Sequence, residues 1–266
     1  MTLNGKTLFI TGASRGIGLA IALRAAQDGA NIVVAAKTAD PHPKLPGTIY
    51  TAASAIEKAG GQALPLVVDV RDPDSIERAV EAGAAQFGGI DILVNNAGIQ
   101  YVAPVDEFPV EKWDAIIAIN LTSAFHTTAA ALPLMRAAGW GRIINVASAH
   151  GLRASPYKSA YVAAKHGIVG FTKTVGLETA REKITCNAIC PGYVLTPLVE
   201  AQIPDQMKTH KMDRESVIKN VMLERQPSRE FVTVEEIAGT AAFLCSDHAA
   251  QITGTTISVD GGWTAE

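Results

Sequence analysis

The sequence predicts an α/β protein: a parallel sheet with helices on both faces. Three observations carry this. Short β-branched runs alternate with longer Ala-rich stretches almost to the end of the 266 residues, and every parallel strand pair needs such a crossover. Leu64-Pro65-Leu66-Val67-Val68 and Ile90-Asp91-Ile92-Leu93-Val94 are nearly continuous apolar runs, as strands buried on both sides require. The first strand-like run ends in a glycine-rich turn, Thr11-Gly12-Ala13-Ser14-Arg15-Gly16-Ile17-Gly18, that opens a helix.

The elements follow in order. The first strand falls near 6–11 and its helix near 16–28; the second strand, near 31–36, is Asn31-Ile32-Val33-Val34-Ala35-Ala36. From Thr38 to Thr48, Pro41, Pro43, Pro46 and Gly47 predict a long loop. Helices near 50–59, 74–87, 111–137, 157–180 and 234–245 then alternate with strands near 63–68, 90–95, 142–147, 184–190 and 256–260. One stretch breaks the rhythm: Leu195 to about Val232 is rich in Met, Lys, Gln and Glu, with helical patches around Val217 to Leu223. Long insertions at the carboxyl edge of a sheet are often functional, so 195–232 is expected to be a substrate lid rather than a plain surface subdomain.

Composition narrows the function. Hydrophobic residues make up 48% and charged residues 18%, enough to bury a large core and far from disorder. The formal charge of −3 argues against a nucleic-acid partner. Apolar runs stop well short of the roughly 20 residues that span a bilayer, and Met1 to Lys6 carry no secretory-type apolar stretch, so no membrane association and a cytoplasmic location are expected. Cys186 and Cys190 lie on one predicted strand, roughly 13 Å apart, too far for a disulfide; with Cys245 they read as packing cysteines. The six histidines form no metal-binding spacing, so no protein-bound metal is expected.

The glycine turn carries the first chemistry. Its glycines let the backbone approach a pyrophosphate, and the free N–H groups of the helix start face that charge. At the end of the second strand, where an acid would bind a ribose 2′-hydroxyl, stands Ala35-Ala36-Lys37, with no acid until Asp40. Lys37 and Arg15 suit a 2′-phosphate instead, which favours NADP(H) over NAD(H); the plainer alternative is that Lys37 is a solvated loop lysine. Lys158, Tyr161 and Lys165 are spaced three and four apart in a helical stretch, near one face. A neighbouring ammonium stabilises a phenolate, so Tyr161 and Lys165 form a candidate proton-transfer unit. Ser148 follows the strand Arg142-Ile143-Ile144-Asn145-Val146-Ala147, placing its hydroxyl where open α/β folds bind ligands.

Together the glycine turn, Asn95-Asn96-Ala97-Gly98, Asn120, Ser148, Tyr161-x-x-x-Lys165 and Pro191-Gly192 resemble the short-chain dehydrogenase/reductases over the whole chain. The resemblance implies a single-domain Rossmann fold over 1–266, with a doubly wound seven-stranded parallel sheet, usually in a homotetramer. It implies Tyr161 as general acid/base, Lys165 lowering its pKa and holding the nicotinamide ribose, Ser148 positioning the reacting oxygen, and Asn120 supporting a proton-relay water. For the cofactor it implies Gly12, Ser14, Arg15, Gly16, Ile17, Gly18, Lys37, Asp69, Val70, Asn96, Ala97, Gly98, Tyr161, Lys165, Pro191, Gly192, Val194 and Thr196, with Asp69 and Asn96 at adenine and ribose.

Within that family the second part, with Ala147-Ser-Ala-His-Gly151 and Asn187-Ala-Ile-Cys-Pro-Gly192, is similar to the D-3-hydroxybutyrate dehydrogenases, which generally use NAD. That likeness implies Gln100, His150, Lys158 and Gln202 on the carboxylate of a small hydroxy acid, beside Ser148, Tyr161 and Tyr193. Tyr193 replaces the subfamily's tryptophan, so a looser pocket around the substrate methyl is expected. Residues 1 to about 94, with Pro41-His-Pro-Lys-Leu-Pro-Gly-Thr-Ile-Tyr-Thr51 and Val68-Asp-Val-Arg71, resemble instead the hydroxysteroid dehydrogenase-like protein 2 group. The two likenesses meet near Leu93 to Gly98, which suggests a chimera. The rival functions are another reductase of the family, acting on a ketoacyl thioester, sugar or steroid ketone, and a nicotinamide-binding protein without turnover.

Overall fold

The computed structural model describes residues 3–41 and 46–265; within the loop expected over Thr38–Thr48, residues 42–45 lie outside the described residues, as do Met1 and Thr2. Seven strands form one parallel sheet: β1 (Thr7–Thr11), β2 (Asn31–Ala36), β3 (Gln62–Val67), β4 (Ile92–Asn95), β5 (Gly141–Val146), β6 (Ile184–Pro191) and β7 (Thr256–Val259), in the order β3-β2-β1-β4-β5-β6-β7. The order reverses between β1 and β4, which opens a crevice beyond their carboxyl ends.

Side chains alternate across the sheet with period two. Leu8 and Ile10 of β1, Ile32 and Val34 of β2, and Ile92 and Val94 of β4 pack with Ile21 and Ala25 of α1 (Gly16–Gln27), Ile49 and Ile56 of α2 (Ile49–Lys58), and Ile237 and Leu244 of the helix Val234–Cys245. Phe9, Val33, Leu93 and Ile143 point the other way, onto Ile76 and Val80 of α3 (Pro73–Phe87) and Ala131 and Met135 of a helix over Ser123–Ala138. The helix starts are set locally. Thr48 and Thr51 form a reciprocal capping box on α2, and Asp72 caps α3 with Pro73 in its first turn.

Two predicted helices differ in detail. The helix expected over 111–137 is α4 (Val110–Ile117), a π-helical turn (Ala118–Thr122) and α5 (Ser123–Ala138). By length and composition Val110–Ala138 could cross a membrane, yet its Ala124, Thr127, Ala131 and Met135 are buried inside the fold. The helix expected over 157–180 is α6 (Ser159–Glu178), because Tyr157 has a φ of 65°, outside the helical range. Lys158 is therefore its N-cap residue. In the 195–232 segment, three short helices, α7 (Pro197–Glu200), α8 (Ile203–His210) and α9 (Arg214–Val217), precede a π-helical turn (Ile218–Met222); α10 (Val234–Cys245) follows.

One knot ties the glycine turn to β4. The buried Thr11 Oγ1 accepts from the backbone N–H groups of Asn96 (2.9 Å) and Ala97 (3.0 Å), and Asn96 Nδ2 donates to the carbonyls of Thr11 (3.0 Å) and Gly12 (3.2 Å). A Cβ on Gly18 would lie 2.5 Å from Asn96 Nδ2, so that glycine serves helix–strand packing. Thr11→Val keeps the shape but strands two partly buried N–H groups; it is expected to cost about 1 kcal/mol per lost partner, read as a lower urea midpoint, with weakened nicotinamide binding. Unchanged stability would contradict this account of the knot.

Candidate active site

A cleft of about 710 Å³ opens beyond the carboxyl ends of β1, β4, β5 and β6. All seven residues expected at the substrate (Gln100, Ser148, His150, Lys158, Tyr161, Tyr193 and Gln202) line it. So do Ile17, Asn96, Gly98, Lys165, Pro191, Gly192, Val194 and Thr196 of the expected cofactor set. The other residues of that set, Gly12, Ser14, Arg15, Gly16, Gly18, Lys37, Asp69, Val70 and Ala97, lie on the glycine turn, at the ends of β2 and β3, and after β4.

The cofactor end fits a dinucleotide on two counts. No side chain caps the start of α1, which leaves its first N–H groups available to an anion. A Cβ on Gly16 would meet only Thr196 Cγ2, at 3.8 Å, so the turn faces open space. The charged residues are engaged otherwise than expected. Lys37 Nζ donates to Asp69 Oδ2 (3.1 Å), Arg71 grips the same carboxylate through Nε (3.0 Å) and Nη2 (2.7 Å), and Arg15 Nη2 donates to the Gly47 carbonyl (2.8 Å). The hydrogen bonds from Arg71, outweighing burial, hold the Asp69 carboxyl far below the usual carboxylate range. Asn96 lines the cleft while its Nδ2 holds the glycine turn.

The reacting groups converge from β5 and α6. Ser148 stands just past β5 and Tyr161 and Lys165 lie in the first two turns of α6. The Lys165 Nζ donates to the Val146 carbonyl at 2.7 Å, and burial lowers its pKa to about 8. The lowering of the Tyr161 pKa by Lys165 does not dominate. Burial pushes the phenol up, the neighbouring Ser148 hydroxyl pulls it down, and Lys165 Nζ sits 5.6 Å from the ring centroid with its donor on Val146. Asn120 lies in the π-helical turn with both amide groups on Ile99: its Oδ1 accepts from Ile99 N–H and its Nδ2 donates to Ile99 carbonyl, each at 2.9 Å. Its side chain thus clamps the cleft wall at Ile99.

The opposite end is cationic. Lys158 Nζ donates to His150 Nε2 at 3.2 Å, which puts the imidazole proton on Nδ1, an atom with no hydrogen-bond partner. Burial, then the Lys158 charge, push the His150 pKa down to about 4, so the ring is neutral at physiological pH. Burial and the Arg225 charge lower Lys158 as well. Among the described residues Lys158 has no carboxylate partner. Gln100 and Gln202 are exposed at the rim.

Two further residues shape the cleft. Trp263 lines it and packs edge-on to His150 at 5.1 Å between ring centroids; Gly261 and Gly262, with φ of 57° and 90°, turn the chain back after β7. Gln226, 1% exposed, accepts from Tyr193 N–H at 3.0 Å. The Asp260-Gly-Gly-Trp263 pattern signals the first; nothing local in the sequence signals the second.

A glycine turn at the switch point, an uncapped helix start and a Ser–Tyr–Lys cluster at the carboxyl edge define a nicotinamide-dependent oxidoreductase. A family model described as enoyl-(acyl carrier protein) reductase matches residues 12–264, and the chain belongs to the short-chain dehydrogenase/reductase family. It is 55% identical over 262 residues to a D-beta-hydroxybutyrate dehydrogenase of Rhizobium meliloti strain 1021 (98% of this chain, 99% of that protein). It is 51% identical over 267 residues to a protein of the same name from Cupriavidus necator (99% and 100%). Hydroxysteroid dehydrogenase-like protein 2 of Danio rerio is 50% identical over 191 residues, 71% of this chain and 46% of that protein. The two likenesses therefore overlap rather than divide the chain near residues 93–98. A crystal structure from Sinorhizobium meliloti 1021, described provisionally as a short-chain alcohol dehydrogenase, superposes with a TM-score of 0.87 at 38% identity (99% and 98%). Dehydrogenases of this family use a nicotinamide cofactor, and so does this chain.

The His150 environment gives a pH prediction. Its folded pKa of about 4 lies below the ordinary histidine value of 6.5, so between these values the unfolded chain binds more protons and stability falls as pH falls. The contribution is complete above pH 6.5 and lost as pH drops through 4. His150→Gln is expected to flatten the fall in urea midpoint between pH 7 and pH 4; the same fall in both proteins would contradict the burial of a neutral ring.

Proposed function

We propose that the chain is a D-3-hydroxybutyrate dehydrogenase, interconverting D-3-hydroxybutyrate and acetoacetate. The observation that carries this is the half-buried Lys158 ammonium, without a carboxylate partner among the described residues, donating to a neutral His150 inside the cleft. A small hydroxy acid offers little apolar area, so charge-assisted hydrogen bonds must orient it. Lys158 anchors the carboxylate, His150 lines the cleft beside it and holds the ammonium through Nε2, and Gln100 and Gln202 close the rim. The full-length likeness to D-beta-hydroxybutyrate dehydrogenases supports the reading.

The bound nicotinamide supplies the hydride acceptor. Tyr161, as phenolate, takes the hydroxyl proton, and Ser148 donates to the reacting oxygen and orients it. Lys165 holds the nicotinamide ribose and lends its positive charge when the phenolate forms. The 2′-phosphate reading of Lys37 and Arg15 competes with their bonds to Asp69 and Gly47; these bonds support NAD(H) as the preferred cofactor, with NADP(H) the weaker one. The 195–232 segment acts as the substrate lid, supported by Thr196, Val199 and Gln202 in the cleft wall. A cytoplasmic homotetramer accords with three buried free thiols and with the exposed Trp113 and Phe125 on the helical face.

Tyr161→Phe is expected to lower turnover by about 10²–10⁴ while nicotinamide binding, read by titration calorimetry, stays unchanged; near-normal turnover would remove the acid/base assignment. Lys158→Met is expected to raise KM for the hydroxy acid about tenfold or more, the worth of a charge-assisted hydrogen bond. Equal losses for acid and cofactor would count against the carboxylate role.

A further inference from the structure

We propose that Arg225 is a specificity-determining residue: a cation beside the Lys158–His150 end of the cleft that draws the substrate carboxylate in and ties the 195–232 segment down beside it. This rests on the hydroxy-acid reading above.

Four observations place it. Arg225 lies in the inserted segment and reaches across to the loop between β5 and α6, where its Nη1 donates to Ser155 Oγ at 3.0 Å. Ser155 is three residues before Lys158, whose Nζ is 3.2 Å from His150 Nε2, so the tether joins the insertion to the loop that carries the carboxylate grip. The next residue, Gln226, is buried and accepts from Tyr193 N–H in the cleft floor at 3.0 Å, which fixes the root from which Arg225 projects. The partner of Arg225 is a neutral hydroxyl; among the described residues it forms no ion pair, not even with its chain neighbour Glu224. Its charge is felt inside the cleft, where it disfavours the protonated forms of both Lys158 and His150.

A guanidinium in this place has a definite use. It is exposed, so it can meet an anion in solution and raise its local concentration at the cleft. It adds positive charge beside a half-buried ammonium, a repulsion that an entering carboxylate relieves. Neutral ketones gain neither benefit, so Arg225 discriminates by charge. Because the same side chain ties the inserted segment to the β5–α6 loop, closure and charge recognition are joined in one residue.

The test compares the full-length enzyme with Arg225→Gln, Arg225→Lys and Ser155→Ala, each saturated with nicotinamide cofactor, using D-3-hydroxybutyrate and, in the reverse direction, acetoacetate and neutral 2-pentanone. Arg225→Gln is expected to raise KM for both acids about fivefold, the scale of a screened surface charge, with kcat and the constants for 2-pentanone unchanged. Arg225→Lys should recover most of the loss, and Ser155→Ala should show a smaller rise confined to the acids. Unchanged KM for the acids in Arg225→Gln, equal effects on 2-pentanone, or a lysine variant no better than glutamine would overturn the proposal. If Arg225→Gln does not fold, the lysine and alanine variants carry the test: a loss in Arg225→Lys as large for 2-pentanone as for the acids, or no change in Ser155→Ala, overturns it. Wild-type enzyme that turns over neither acid would sink the hydroxy-acid reading itself, and this proposal with it; wild-type turnover with indifferent variants sinks the proposal alone.

Discussion

Two lysines without carboxylate partners govern the carboxyl edge of this sheet. Taking an ammonium out of water is costly unless other groups replace its hydration, and neither Lys165 nor Lys158 has an acid to do so among the described ion pairs. Lys165 leans on the Val146 carbonyl at 2.7 Å, and Lys158 on a histidine nitrogen at 3.2 Å. Both are under-compensated, and burial lowers the pKa of each. On the function proposed above, negative charge completes such a cleft: a phenolate forming on Tyr161 at one end, a carboxylate at the other. The neutral state of His150 follows from the same constraint: burial, and then the Lys158 charge on its Nε2, disfavour the protonated ring.

The frame that holds these groups is itself polar and buried. Asn95 at the end of β4 donates to Asn145 on β5 (2.8 Å), Asn145 donates to Thr172 on α6 (2.8 Å), and Thr127 of α5 donates back to Asn95. A fully satisfied network of this kind fixes one arrangement of two strands and two helices. Ser148 leaves the end of β5 and Tyr161 rides on α6, so their separation is set by the contact between those two elements. On the other side of the crevice the Thr11–Asn96 knot fixes the glycine turn against β4. Cofactor and substrate ends are thus positioned by separate side-chain networks that share β4, through Asn95 and Asn96.

Much of this was readable in the residues. Seven strands and the main helices followed from apolar runs, β-branching and glycine or proline punctuation, because those signals are local and the sheet is buried on both faces. The seven residues expected at the substrate all face one cleft. What escaped was decided by non-local partners. Nothing around Asn120 announces a π-helical turn or says that its amide will bind the Ile99 backbone. Lys37 looks solvated in the sequence because Asp69, the carboxylate it shares with Arg71, lies 32 residues away, just past β3. The spacing of Tyr161 and Lys165 predicts a lowered phenol pKa, whereas the burial that raises it comes from the packed fold. Gln226 gave no sign of itself, being an ordinary polar residue until the fold brings Tyr193 to it.

The most direct measurement is the initial rate of nicotinamide reduction with D-3-hydroxybutyrate and with L-3-hydroxybutyrate, each offered with NAD and with NADP. Turnover of the D acid alone, faster with NAD, is the result this account predicts. Turnover of neither acid with either cofactor would contradict it.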